Sequence, residues 1–140
     1  RSMSYLIDTN VLSELRRRTP APEVLAWFSL RPAAGLYLSV LTLGEIRKGV
    51  ELLADATRKA ALHQWLTVDL PVYFSGRILP VDTRVCDRWG RMLAAAGRPV
   101  PAIDSLLAAT AVEHNLILVT RNVKDFVSLP VATVDPWSGS

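Results

Sequence analysis

The feature that most limits what this chain can become is a series of short, wholly apolar runs, each closed by polar residues and followed by a stretch with helical spacing. Tyr5-Leu6-Ile7 ends at Asp8, and Leu36 to Ser39 leads into Leu41 to Leu53. Ile78-Leu79-Pro80-Val81 precedes a helix opening at Asp82 or Thr83, Leu116 to Val119 closes on Thr120-Arg121-Asn122, and Ala132 to Val134 is a candidate fifth strand. Strands that do not alternate apolar with polar are covered on both faces, and strands separated by helices pair in parallel. The expected fold class is therefore α/β, a three-layer α/β/α sandwich around a short, mainly parallel central sheet of four to five strands.

The intervening segments carry helix punctuation. A helix is expected from about Asn10 to Arg17, and Pro22 sits at a first helical position for one reaching about Leu30. Asp55 can cap a helix that carries Leu62, Trp65 and Leu66 on one face before Pro71 stops it. Val85, Trp89, Met92, Leu93 and Ala96 share a face of the next helix, which Gly97 ends. Pro99 to Pro101 then leads into a very apolar helix from Ala102 to about Asn115. Cys86 is the only cysteine, so no intrachain disulfide forms, and its place beside Val85 and Trp89 reads as a reduced core position.

A chain of 140 residues matches the size of one globular domain, and residues 3–137 read as a single unit without repeats or breaks in composition. Arg1-Ser2, ahead of Met3, reads as a cloning remnant. Half the residues are hydrophobic, which excludes global disorder. The longest apolar stretches, Leu36 to Leu43 and Ile103 to Val112, fall short of the roughly 20 residues a membrane span needs. The start also lacks the apolar core of a signal peptide, so the expected location is the cytoplasm, with no membrane partner.

In folds of this class the chemistry lies beyond the carboxyl ends of the strands, near a switch in strand order. Four acids answer that description, and each has a plain structural reading as well. Asp8 directly follows the first strand, where it could serve only as a helix cap, a task Thr9 or Asn10 could do equally well. Asp125 stands five residues beyond Thr120, where an ordinary turn acid is equally at home. Glu45 lies off the apolar stripe of Leu43, Ile46, Val50 and Leu53, and could simply pair with Lys48. Asp104 opens a helix that is apolar nearly all round. A helix dipole returns only about 0.3–1 kcal/mol to a carboxylate there, whereas burying it unpaired costs several. Either that first turn reaches water or Asp104 has a cationic partner.

A parallel sheet can gather all four at one end. Four adjacent carboxylates raise one another's pKa unless a cation is present, and oxygen-only ligands suit Mg²⁺ or Mn²⁺. His63 and His114 are too far apart in sequence to suggest zinc, and no Gly-rich phosphate loop or Ser/His/Asp arrangement is visible. The chemistry that fits is hydrolysis of a phosphodiester by a metal-activated water, with one carboxylate orienting or deprotonating that water. Arg121, Arg47 and Lys48 are close enough in sequence to reach substrate phosphates, and read equally well as solvated surface charge. Net charge is only +3, yet thirteen of the sixteen basic residues are Arg, whose planar fork grips phosphate.

Four segments carry a resemblance. Ile7-Asp8-Thr9-Asn10, Gly44-Glu45-Ile46-Arg47-Lys48-Gly49, Ile103-Asp104-Ser105-Leu106-Leu107-Ala108-Ala109-Thr110-Ala111, and Leu118-Val119-Thr120-Arg121-Asn122-Val123-Lys124-Asp125-Phe126 resemble the PIN-domain ribonucleases. The likeness is to the VapC toxins and their FitB-like branch, and the closing Val134-Asp135-Pro136-Trp137 is similar to that branch's usual ending. The resemblance implies that Asp8, Glu45, Asp104 and Asp125 are the acidic quartet around Mg²⁺ or Mn²⁺, with Asn10, Thr120 and Asn122 as supporting polar residues. It further implies an endoribonuclease toxin of a type II toxin–antitoxin system. Such a toxin forms a homodimer and is held inactive by a cognate antitoxin, in a heterotetramer or larger assembly, with a basic antitoxin side chain able to enter the acidic pocket.

Two other classes compete. An aspartyl-phosphate hydrolase with Asp8 as nucleophile would want a second Asp two positions on, where Asn10 stands. A non-catalytic module could use the same cleft only to bind RNA or protein.

Overall fold

The computed structural model describes residues 3–138. Five strands, β1 (Tyr5–Ile7), β2 (Leu36–Ser39), β3 (Ile78–Leu79), β4 (Ile117–Val119) and β5 (Thr133–Val134), form one sheet in the order β3-β2-β1-β4-β5. Every pairing is parallel, with Tyr5 opposite both Leu36 and Ile117 and Ile7 opposite Val119. Side chains alternate across the sheet, so neighbouring residues of a strand enter different layers. Ile7 and Val119 pack with Val11, Leu12, Trp27, Ile46 and Trp65 on one face, while Leu6 and Leu118 pack with Val85, Met92, Leu107 and Phe126 on the other. Both faces are thus dry, which is why the strands read as unbroken apolar runs.

The first layer holds α1 (Thr9–Glu14), α2 (Pro22–Ser29), α3 (Val40–Glu51), α4 (Ala56–Gln64) and α5 (Leu70–Tyr73), and the second holds α6 (Thr83–Ala96) and α7 (Ala102–Glu113). Side chains cap several starts. Ser39 accepts the Leu41 N–H at 3.0 Å, Asp55 that of Arg58 at 3.0 Å, and Asp82 that of Val85 at 3.0 Å. Gly97, at φ +69°, ends α6 in the left-handed conformation its missing Cβ permits. Glu14 is buried, and its carboxylate accepts the Ala21 N–H at 2.9 Å, which closes the loop between α1 and α2.

Four expectations need correction. Pro71 does not stop a helix: α4 passes through a π-turn at Trp65–Asp69 and continues into α5, with Pro71 in its opening turn. The wider turn takes the Leu70 N–H to the Trp65 carbonyl, so a proline just beyond it forfeits little and its ring clears the preceding turn. Cys86 is exposed, because it stands one residue, and so about 100°, away from the buried Val85 position. α1 ends at Glu14, short of Arg17, and the third strand is only Ile78–Leu79, with Pro80 and Val81 outside it. The expectation about Arg1 and Ser2 lies outside the described residues. No described helix is long and apolar enough to cross a membrane.

Candidate active site

The order of the strands locates the site. From β1 the chain steps outward to β2 and β3, then returns to β4 on the other side of β1 and continues to β5. The switch point lies between β1 and β4, and beyond the carboxyl ends of such a pair the diverging connections leave a crevice. Asp8 immediately follows β1 and Thr120 immediately follows β4. The ladder extends into the crevice through the Asp8 N–H, which donates to the Val119 carbonyl at 2.9 Å.

Asp8 caps α1 and stands at the switch point. Its Oδ1 accepts the Thr9 backbone N–H at 2.7 Å, and its Oδ2 accepts the hydroxyl of fully buried Thr120 at 2.7 Å. These bonds favour the ionised carboxylate, yet burial outweighs them and pushes the Asp8 pKa up, with Glu45 and Asp104 adding further upward pressure. Thr120 Oγ1 in turn accepts the Asn122 backbone N–H at 3.2 Å.

The other acids arrive on three different elements. Glu45 is one and a half turns into α3, exposed, and accepts a hydrogen bond from the Thr9 hydroxyl. It shares an open hollow with Lys48, Val40 and Ile103, and is not ion-paired to Lys48. Asp104 sits in the first turn of α7 and is half-buried, so that turn does reach the surface. Burial raises its pKa first, followed by the charges of Asp125 and Glu45. Asp125 belongs to a 3₁₀ turn, Val123–Phe126, where buried Phe126 anchors the turn and leaves Asp125 exposed.

The four acids are therefore linked electrostatically: Asp8 feels Glu45 and Asp104, and Asp104 feels Glu45 and Asp125. Among the described residues no three Asp, Glu, His or Cys side chains already converge into a closed ligand set. Asp8 and Glu45 are held instead by Thr120 and Thr9. Four oxygen donors, among which Asp8 and Asp104 have their charged forms disfavoured, are chemistry that fits a hard divalent cation. A soft or nitrogen-preferring metal has no such set here: His63 contacts Arg47, and His114 lies at the opposite, amino end of the strands.

Residues 5–130 match the PIN domain family. This chain is a PIN domain.

Toxin FitB of Neisseria gonorrhoeae is 38% identical to this PIN domain over 135 residues, covering 94% of this chain and 97% of FitB. The crystal structure of FitAcB from the same organism aligns with a TM-score of 0.90, covering 95% of this chain and 98% of that one. VapC ribonuclease Y4jK of Sinorhizobium fredii is 31% identical over 135 residues, covering 94% of this chain and 96% of its own. A toxin-antitoxin complex from Klebsiella pneumoniae aligns with a TM-score of 0.69 at 26% identity, covering 95% of this chain and 98% of that one.

The basic and polar residues anticipated from sequence fare unevenly in this PIN domain. Arg121 is exposed, with its guanidinium 4.5 Å from the ring centre of Trp137, so the C-terminal segment props it beside Thr120. Arg47 turns to Glu51 at 3.2 Å and to His63 at 3.2 Å, leaving the acids to others. Lys48 is exposed beside Glu45. Asn122 contributes its backbone N–H to Thr120, and the exposed Asn10 side chain makes no hydrogen bond among the described residues.

Two contributions are not apparent from sequence. Thr9 reads there as no more than an alternative cap, whereas its hydroxyl ties Glu45 to the start of α1. Ser105, fully buried next to Asp104, accepts the Trp89 indole N–H at 2.8 Å and donates back to the Pro101 carbonyl at 2.8 Å. A hydroxyl in the first turn of an otherwise apolar helix is the one signal that could have found it.

Proposed function

We propose that this PIN domain is a divalent-metal-dependent endoribonuclease and the toxin partner in a toxin–antitoxin pair. The observation that carries the proposal is the mutual coupling of Asp8, Glu45, Asp104 and Asp125 at the sheet's switch point, with burial and like charge raising the pKa of Asp8 and Asp104. Relatives named as a toxin and as a VapC ribonuclease span nearly the whole chain and support the same reading.

In this reading Asp8, Glu45, Asp104 and Asp125 hold Mg²⁺ or Mn²⁺. The bound cation would supply Lewis-acid charge for the phosphodiester oxygens and make water a competent nucleophile near neutral pH. The protein's own groups do the rest. Thr120 and the Thr9 amide hold both oxygens of Asp8 in one orientation, and the Thr9 hydroxyl does the same for Glu45. Asp125, exposed and held through its backbone, is free to accept a proton from the attacking water at a carboxylate oxygen. Arg121 and Lys48 flank the acids and can take the substrate's non-bridging oxygens.

RNA is the substrate in this proposal, and a cytoplasmic homodimer held by its antitoxin is the resting form. An acidic cluster of this kind attracts a guanidinium, so a basic antitoxin side chain placed there would exclude the metal. The aspartyl-phosphate alternative fares worse, since Asn10 stands where it would want a second acid.

Cleavage of an end-labelled single-stranded RNA, with Mn²⁺ and with EDTA, tests the function. Wild-type protein cuts internally only with the metal, and Asp8→Asn or Asp104→Asn lowers the rate at least 100-fold. Metal-independent cutting that survives both substitutions would sink the proposal, and release of phosphate from a small phosphomonoester would favour the phosphohydrolase.

A further inference from the structure

A groove leads away from the acids between α1 and α3. One wall carries Thr9 and Ser13 of α1 and then Arg16 just beyond its end, the wall on α3 carries Glu45 and Gly49, and Arg58 of α4 closes the far end, around a hollow of about 230 Å³. From Thr9 to Ser13 the run is about 6 Å at the helical rise, and Arg16 lies further on. One end is therefore acidic and continuous with the proposed active site, and the other is basic.

Five described arginines are ion-paired and seven are not, and Arg16 and Arg58 are among the seven. Arg47, Arg91, Arg84 and Arg88 are taken up by Glu51, Asp87 and Glu113. Arg16 and Arg58 have no carboxylate partner among the described residues, and both line the groove. They are positioned nonetheless: the Arg16 guanidinium lies 5.4 Å from the ring centre of Trp65, and Arg58 donates to the Arg16 carbonyl at 3.0 Å. Gly49 keeps the floor open, since a Cβ placed there would meet nothing within 4 Å. Two ordered cations that leave a groove anionically unsatisfied favour a polyanion lying along it.

We propose that this groove is a second subsite for the RNA strand, in which Arg16 and Arg58 hold a phosphodiester neighbouring the one presented to Asp8, Glu45, Asp104 and Asp125. The inference rests on the endoribonuclease reading and adds polarity to it. The scissile phosphate meets an end that tolerates anions only with a bound cation, whereas its neighbour meets permanent positive charge. A substrate too short to span the groove forfeits that hold.

The test separates binding from cutting. In an Asp104→Asn background with Mn²⁺ present, affinity for a fluorescein-labelled ten-nucleotide RNA is measured by anisotropy across a range of salt. Adding Arg16→Gln and Arg58→Gln together weakens binding about tenfold and reduces the slope of log affinity against log salt by roughly 0.7, the share of the one phosphate that is no longer neutralised. Gly49→Met, whose Cβ meets nothing within 4 Å, adds bulk at the groove and weakens binding with the slope kept. With Asp104 restored, the arginine pair lowers kcat/KM more on the ten-nucleotide strand than on a dinucleotide, through KM. Parent-like affinity in both variants, or an unaltered slope in the arginine pair, would overturn the subsite. Tight, groove-dependent RNA binding by wild-type protein that never cuts would instead overturn the endoribonuclease reading and leave the groove standing.

Discussion

The Thr120 hydroxyl, fully buried at the end of β4, donates a 2.7 Å hydrogen bond to Asp8 Oδ2 at the end of β1. The two residues stand 112 positions apart, yet this bond sets the orientation of the carboxylate and opposes the effect of burial on its pKa. Thr120→Val keeps the shape and removes the donor. The Asp8 pKa then rises further, and the Mn²⁺ concentration supporting half-maximal RNA cleavage increases about 10- to 100-fold. An unchanged metal requirement in a cleavage titration would show that the bond has no part in holding the carboxylate.

Asp104 makes the metal-free protein less stable near neutral pH. Its folded pKa lies above the ordinary 3.8, so between those values the folded state binds more protons than the unfolded state. Stability then falls as pH rises from about 3.8 through the raised value. In EDTA at pH 7, Asp104→Asn melts a few degrees above wild type, and the gap closes as the buffer approaches pH 3.8, where the native carboxyl is already neutral. Thermal scans across that range decide the matter, and a lower melting point for the Asn variant at pH 7 contradicts it.

Mn²⁺ reverses that order. A ligand bound only by the folded state adds about 2.7 kcal/mol at one hundred times its Kd. Wild-type protein gains several degrees in excess Mn²⁺, while Asp8→Asn and Asp104→Asn gain little. Equal gains in all three would place the ion elsewhere.

Ser105 and Trp89 hold the turn that bears Asp104. Ser105→Ala leaves the Trp89 indole N–H without its partner and costs about 1–3 kcal/mol in chemical denaturation. Trp89→Phe made on top of it costs less than it does in the native background, because the donor has already lost its acceptor. Strict additivity of the two substitutions would deny the coupling.

Much of this architecture is legible in the chain because the deciding forces are local. Leu36 to Ser39 announces a strand, Asp82 and Gly97 bracket a helix, and both marks depend only on neighbouring residues. Pro71 misleads because a π-turn upstream, set by how Trp65 and Leu66 pack into the core, prepares a place for it. Cys86 misleads by a single residue, since only the register of α6 against the sheet separates it from Val85. The acids divide the same way. Asp8 and Asp104 follow recognisable boundaries, whereas the direction of Glu45 depends on α1 lying against α3, which brings the Thr9 hydroxyl to it. Arg47 turns the other way for an equally tertiary reason, the approach of Glu51 and His63.

The strand order also sets how much of the chain must be made before the site can form. β1, with Asp8, leaves the ribosome first, but its central partner β4 and the turn bearing Asp125 belong to the last quarter of the chain. A nascent chain halted after α6 owns Asp8 and Glu45 and neither Asp104 nor Asp125. The acidic group therefore cannot assemble until α7 and the 3₁₀ turn have been made, however early its first two members appear.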